Sequence, residues 1–262
     1  MGHLIPYDFS LAVMRGQVPG YGGINKFGQA ADVDTSLTDL WDGADGVTST
    51  KIWVAPTTAR IHSLVSAHAD DDNPAGAGMR TVRVYGLQTW DSVETSEVVA
   101  MNGVASVPTI NAYVIIHRMQ GVTYGANATN TGVIKATAAT DATVTAAILA
   151  GNGQTLMAIY GVSSKQQLFV KALSGSVLRT GGAASVDYGL WAQERADQSD
   201  TGFNIKERFQ VTDTSPHKEH FTVPKTYDGP CIVKLQAISS RINTQVTGGF
   251  DAFVAHKVGE TT

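Results

Sequence analysis

The chain has 262 residues, enough to bury a sizeable core as one large β domain or two small ones. Charged residues make up only 16% of the sequence, below the roughly 25% of an average soluble domain, and the net charge is −4. No cluster of Lys and Arg occurs, which argues against a nucleic-acid-binding surface, and the single cysteine, Cys231, excludes an internal disulfide.

Residues 1–30 differ in composition from the rest of the chain. They are apolar and rich in glycine, and they show no sustained helical or strand period. Such a segment cannot form a core of its own, yet it is too apolar for a solvated disordered tail. We predict an extended N-terminal arm, which either lies on a neighbouring subunit or packs on its own body. Its expected contact residues are Tyr7, Phe9, Tyr21, Ile24 and Phe27.

From Trp41 onward the sequence has the pattern of strands and turns. Residues 81–85 alternate apolar and polar side chains and are closed by Gly86. The dipeptide at 102–103, Asn-Gly, predicts a hairpin between strands at 93–101 and 107–119. Turn residues recur about every 8–12 positions, the spacing of sandwiches and barrels. Helix is therefore expected to be scarce.

The strand count predicts an all-β protein in two parts. About six candidate strands precede residue 140 and about eight follow it, and eight strands with long loops match a jelly roll in number. We therefore expect an extended arm at 1–30, a β-sandwich half at 31–140 and a jelly-roll-like β-sandwich half at 141–262. A single merged sandwich is the main alternative.

Three groups of residues could hold a metal ion. His217 and His220 would diverge on a strand, because side chains three positions apart point to opposite faces. His62 and His68 with the acidic run 70–72 lack the pattern of a calcium-binding loop. The third group, Asp39, Asp42 and Asp45, is explained equally well by a turn. We predict no metal site and no cofactor.

No nucleophile motif marks a catalytic centre. The chain has no G-x-S-x-G elbow, and Cys231 lies in an apolar run without a neighbouring base. The loop at 151–153 does not open a helix, so it predicts a hairpin rather than a phosphate-binding turn. Carboxylate pairs formed in space are invisible in a sequence. We predict no catalytic residues and no enzymatic activity.

The four tryptophans raise the possibility of a carbohydrate-binding module. Trp90 lies in a turn, where a large apolar side chain is expected to be exposed. A single exposed Trp more often marks a protein contact than a sugar site. We therefore add Trp90 to the expected partner contacts and keep carbohydrate binding as an alternative.

The order of short motifs along the chain resembles a family of virion structural proteins of marine and environmental tailed phages. Residues 77–103 read AGMRTVRVYGLQTWDSVETSEVVAMNG, with the TVRVYGL strand, the SE-V strand and the NG turn of that family. Further matches are NKFG at 25–28, WDG at 41–43, IHRM at 116–119, NTG at 130–132, ILAGNGQTLMA at 148–158 and GFD at 249–251. The chain departs at 162–165, where VSSK stands in place of a VPAGK turn.

The resemblance implies a structural component of the particle, without saying where on the particle it lies. The absence of heptads and long repeats argues against a fibre, and an apolar arm on a low-charge β body suits the cementing of coat subunits. The expectation is a capsid decoration protein, a homotrimer that binds the major capsid protein and copies of itself. We expect synthesis in the host cytoplasm without export, no membrane span, and an arm whose removal (residues 1–28) leaves the body folded. The alternative is a tail- or fibre-associated protein that binds carbohydrate or a receptor.

Overall fold

The computed structural model describes residues 8–178, 185–212 and 216–257. The fold is 56% strand and 4% helix, which confirms the predicted all-β sandwich and the scarcity of helix. One helix, α1 (Phe9–Met14), and a 3-10 turn at Asp42–Ala44 accompany the strands. The strands are β1 (Tyr21–Val33), β2 (Thr38–Asp39), β3 (His62–Ser66), β4 (Met79–Leu87), β5 (Thr95–Ala100), β6 (Val107–Pro108), β7 (Ile115–Tyr124), β8 (Ile134–Ala138), β9 (Val144–Ile148), β10 (Ile159–Val162), β11 (Gln166–Leu178), β12 (Ser185–Glu194), β13 (Asn204–Thr212), β14 (His217–Asp228), β15 (Cys231–Ser239) and β16 (Thr244–His256).

Eight of the strands form a jelly roll. One sheet has the order β1-β16-β11-β14 and the other has the order β10-β15-β12-β13, with β2 pairing to β15. The chain passes from sheet to sheet at every step except β12 to β13, so the two sheets interlock as two Greek keys. The jelly roll therefore takes its first strand from residues 21–33 and its other seven from the last 104 residues of the chain.

A smaller sandwich is inserted between the first two strands of the jelly roll. It consists of a four-stranded sheet, β6-β3-β8-β9, and a three-stranded sheet, β5-β4-β7. Trp53 is buried in the segment between β2 and β3. Its indole N–H donates to the carbonyl oxygen of Thr145 on β9 at 2.8 Å. A single hydrophobic cluster extends through both sandwiches.

The sheets do not follow the ranges 1–30, 31–140 and 141–262. Residue 30 falls inside β1, and the division near residue 140 separates β8 from β9, which pair with each other. The reason is that β1 is an integral strand: it pairs with β16 from Tyr21 opposite Ala255 to Val33 opposite Thr244. Removing residues 1–28 would delete most of this strand, so the pairing argues against the expectation that the body survives that truncation.

Both predicted hairpins are also wrong, although both turns exist. Gly103 and Gly151 adopt positive φ angles of 55° and 84°. The flanking strands nevertheless do not pair with each other, since β5 pairs with β4 rather than with β6 or β7, and β10 pairs with β15 rather than with β9. In the part of the chain that the structure describes, no helix has the length and apolarity to span a membrane.

Candidate functional site

A cleft of about 540 Å³ lies where the inserted sandwich meets the first sheet of the jelly roll. Residues of α1 and of strands β1, β11, β14 and β16 line one side of it, and residues of β4 and β7, together with the residue that precedes β5, line the other; Tyr160 of β10 completes the lining. Apolar side chains make much of the surface, among them Met14, Ile24, Tyr85 and Phe253. This volume lies within the range of small-molecule sites, and concave sites of this kind are favoured at the junction of two structural units.

Lys26 on β1 is a buried basic side chain in this cleft. Only 4% of the residue is exposed, and its ammonium group donates to the carbonyl oxygen of His117 on β7. Burial, together with the nearby Arg118 guanidinium, lowers the pKa of Lys26 to about 7, although Glu94 opposes the change. An amine with this pKa can exchange a proton near neutrality. Its position against a backbone carbonyl favours a role in charge recognition.

His117 and Glu94 form a second polar element of the cleft. The Nε2 atom of His117 is hydrogen-bonded to the Glu94 carboxylate, and its ring lies against Tyr160 with the centroids 4.5 Å apart. Burial lowers the pKa of His117 more than Glu94 raises it, so the imidazole is neutral at pH 7. Burial alone would raise the pKa of Glu94, but His117, Lys26 and Arg118 outweigh it and lower that pKa. The Nδ1 atom of His117 is buried and finds no hydrogen-bond partner among the described residues.

Two more cations lie around the cleft. The guanidinium of Arg118 donates to the carbonyl oxygen of Asn25 at 2.9 Å. The ammonium of Lys171 donates to the Ser10 hydroxyl at 2.9 Å and lies 4.6 Å from the centroid of the Phe253 ring. With Lys26, these side chains give three basic groups against two acidic ones, Glu94 and Asp251. The cleft is therefore locally basic in a chain of net charge −4.

Of the six residues predicted to contact a partner, three are exposed, two are half-buried and one lies outside the described residues. Phe9 and Tyr21 come together, edge to face with centroids 5.4 Å apart, and both are exposed. Phe27 is also exposed, whereas Ile24 packs partly against the core and lines the cleft. Trp90 is half-buried against the core in a different pocket, beside Pro56 and Ala196. Tyr7 lies outside the described residues.

The candidate metal ligands have other roles. His217 stacks on Phe209 with centroids 5.0 Å apart, whereas His220 lines the cleft, so the two imidazoles diverge. The buried Asp71 carboxylate accepts hydrogen bonds from the backbone N–H groups of Met79, Thr131 and Gly132 and from the Ser66 hydroxyl. Across residues 8–178, 185–212 and 216–257 there is no group of three His, Cys, Asp or Glu side chains that could hold a metal ion.

The acidic residues at 39–45 are likewise structural. Asp39 is buried and paired with Lys234, and the Asp42 carboxylate accepts the N–H groups of Leu156 and Leu149. The thiol of Cys231 is buried, and burial raises its pKa to about 12, which makes it a poor nucleophile.

Sequence reasoning did not find the polar residues of the cleft. Lys26, Glu94, His117 and Tyr160 are far apart in the chain and belong to no shared motif. The one usable signal was the pair His117–Arg118 inside an apolar strand, because a basic pair in such a strand must find polar partners.

Comparison with known proteins adds no relative: no family model, no curated protein and no solved structure matches the chain. The resemblance to phage virion proteins therefore remains a prediction.

Proposed function

We propose that this chain is a non-enzymatic structural protein of a tailed-phage virion. It serves as a capsid decoration or cement protein that stabilises the shell by binding the major capsid protein and copies of itself. The observation that carries the proposal is a cluster of exposed apolar side chains at the start of the chain: Phe9, Leu11, Met14 and Tyr21. We refer to these four residues as the N-terminal patch.

The N-terminal patch is held in place by the body. The Phe9 ring packs edge to face on both Tyr21 and Phe253, and the Met14 sulfur lies directly over Gly23, where a β-carbon would come within 2.3 Å of it. Leu11 and Met14 are 53% and 69% exposed. Several exposed apolar side chains in one short segment of a folded protein are typical of a contact with another protein. A preformed patch also avoids the entropy cost of ordering a free segment on binding.

The architecture supports the same proposal by analogy alone. Jelly rolls occur in viral capsid proteins, and also in lectins and cupins, so the fold is compatible with a shell protein without requiring one. The low fraction of charged residues suits a surface that is partly covered by neighbouring subunits.

The test is attachment to particles that lack the protein. Fully burying a Leu or Met side chain contributes about 1.5–3 kcal/mol, so the double variant L11S/M14S should weaken attachment by about tenfold or more. The matched control is I110S/V223S, which makes the same kind of change at two exposed side chains outside the patch. Occupancy would be measured by quantitative mass spectrometry of washed particles, and a particle reconstruction would locate the chain.

The outcomes separate the candidate functions. Reduced occupancy of L11S/M14S with normal occupancy of the control supports the proposal. Equal occupancy of the two variants would show that the N-terminal patch does not attach the protein. A reconstruction that places the chain on the tail would favour the receptor-binding alternative. The expected homotrimer is checked separately by sedimentation velocity of the purified chain.

A further inference from the structure

We infer that the cleft between the jelly roll and the inserted sandwich binds an organic anion, a carboxylate joined to an apolar group and to a hydrogen-bond donor. An N-acylated amino acid with an apolar side chain, or the C-terminal residue of a peptide, has this chemistry. The inference goes beyond the proposed attachment function and does not depend on it.

The excess of basic side chains in the cleft favours a negatively charged ligand. Lys26, Arg118 and Lys171 line it together with only two carboxylates. Asp251 is already engaged by the Asn25 amide and by the ammonium of Lys218, and Glu94, whose pKa is lowered by Lys26 and Arg118 among others, offsets one of the three basic groups. The guanidinium of Arg118, in contrast, has a backbone carbonyl as its partner. A carboxylate would therefore meet basic groups that no acid of the cleft fully neutralises, and charge-assisted hydrogen bonds are the stronger kind.

The apolar side chains of the cleft favour a ligand with an apolar group. Met14, Ile24, Ala252 and Phe253 offer an apolar surface of a size that suits an aromatic or aliphatic side chain. A fully hydroxylated ligand such as a sugar would place polar groups against this surface without partners, which carries a cost in free energy. The apolar walls therefore favour an amphipathic anion.

His117 supplies a third and independent indication. It is 1% exposed, and because its Nε2 atom faces the ionised Glu94, the ring proton is assigned to Nε2. The Nδ1 atom is then an acceptor without a partner in the part of the chain that the structure describes. Buried polar atoms are rarely left without a hydrogen bond. His117 lines the cleft, so an amide N–H of the ligand could satisfy this atom after a small shift of the ring.

The pKa of Lys26 agrees with this arrangement. Burial lowers it to about 7, so part of the population carries an uncharged amine at neutral pH. An anion in the cleft would favour the ammonium form and would recover some of the cost of burying Lys26.

The experiment uses the full chain and two matched pairs of probes. N-acetyl-phenylalanine is compared with its neutral amide by isothermal titration calorimetry, with two-dimensional NMR to locate the site. A tripeptide that ends in Phe, with a free or an amidated C-terminus, distinguishes a free acid from a chain terminus as the source of the carboxylate. We expect each acid to bind at least tenfold more tightly than its amide, because a hydrogen bond to a charged group contributes about 1.5–3 kcal/mol.

Two variants and a control assign the binding to the cleft. R118Q and K171M should each weaken binding of the acid about tenfold. R208Q removes the same charge from an exposed Arg on β13, outside the cleft, and should leave binding unchanged. The proposal is overturned if acid and amide bind alike, if R208Q weakens binding as much as R118Q, or if neither acid shifts a cleft resonance at the limit of its solubility. Thermal unfolding of each variant checks that the fold is intact.

Discussion

At the scale of single residues, the buried acid Asp39 links the segment after β1 to the jelly roll. Asp39 on β2 pairs with Lys234 on β15, its carboxylate 2.9 Å from the ammonium, and both side chains are almost fully buried. The same carboxylate accepts the N–H of Trp53 at 2.6 Å, and the ammonium lies 4.1 Å from the centroid of the Phe203 ring. Removing one partner of such a pair leaves the other charge buried and unpaired.

The variant D39N should therefore destabilise the protein by about 3–5 kcal/mol, measured by urea unfolding. The double variant D39N/K234M should lose less than the sum of the two single variants, because it removes both charges. The control is D197N, which breaks the exposed pair Arg195–Asp197 and should cost less than about 1 kcal/mol. A value for D39N as small as that of D197N would show that the buried pair does not hold β2 to β15.

Asp42 gives a prediction on pH. Burial is the main cause that raises its pKa to about 7, with Asp45 adding to the effect and the N–H groups of Leu156 and Leu149 opposing it. In the unfolded chain the carboxyl ionises near its ordinary value of 3.8, so the folded state binds the extra proton between the two values. The contribution to stability is thus complete below about pH 4 and is lost as the pH rises through about 7, amounting to about 4 kcal/mol at most.

The variant D42N keeps the shape of the neutral acid and removes the titration. Relative to the wild type, it should become progressively more stable from about pH 4 to about pH 8, as measured by urea unfolding at each pH. A difference between the two proteins that is constant over this range would mean that Asp42 is ionised in the fold.

At the scale of elements, β1 shows what the pattern of residues could and could not predict. The strand at 81–85 was predicted from its alternation, and β4 contains it. No strand was predicted at Tyr21–Val33, because Gly22, Gly23 and Gly28 erase the alternation. Close packing requires a glycine at position 28, because a β-carbon on Gly28 would lie 2.1 Å from the carbonyl oxygen of Leu40 and 2.7 Å from the nitrogen of Ala158. Composition that reads as an irregular arm is here a tightly packed strand.

The variant G28A should consequently destabilise the fold by about 1–3 kcal/mol or more, since the added methyl group would have to displace the hydrogen bond from the Ala158 N–H to the Leu40 carbonyl. Gly202 is the matched control, because a β-carbon there meets no atom within 4 Å. Thermal unfolding of G28A and G202A makes the comparison. If the two variants melted together, the close approach at Gly28 would not exist in solution.

At the scale of the whole molecule, the architecture depends on pairings between distant parts of the chain. The number of strands predicted a jelly roll, but the identity of its first strand did not follow from the sequence, because β1 and β16 are separated by more than two hundred residues. The same distance hid the cleft, whose walls come from seven strands. Local patterns identify strands; only the folded arrangement shows which strands meet.

This long-range closure predicts different results for two N-terminal truncations. Removing residues 1–16 deletes α1, of which only Ala12 and Val13 are buried, so the chain should still fold, with a slightly lower Tm. Removing residues 1–28 also deletes Tyr21–Gly28, which pair with eight residues of β16, and should expose that edge and the core beneath it. Far-UV circular dichroism and thermal unfolding would measure both.

Because the shorter truncation removes Phe9, Leu11 and Met14 without touching the sheet, it also separates attachment from folding: it should bind particles poorly while melting cooperatively. A cooperative transition in the longer truncation at the Tm of the shorter one would mean that the jelly roll closes without its first strand.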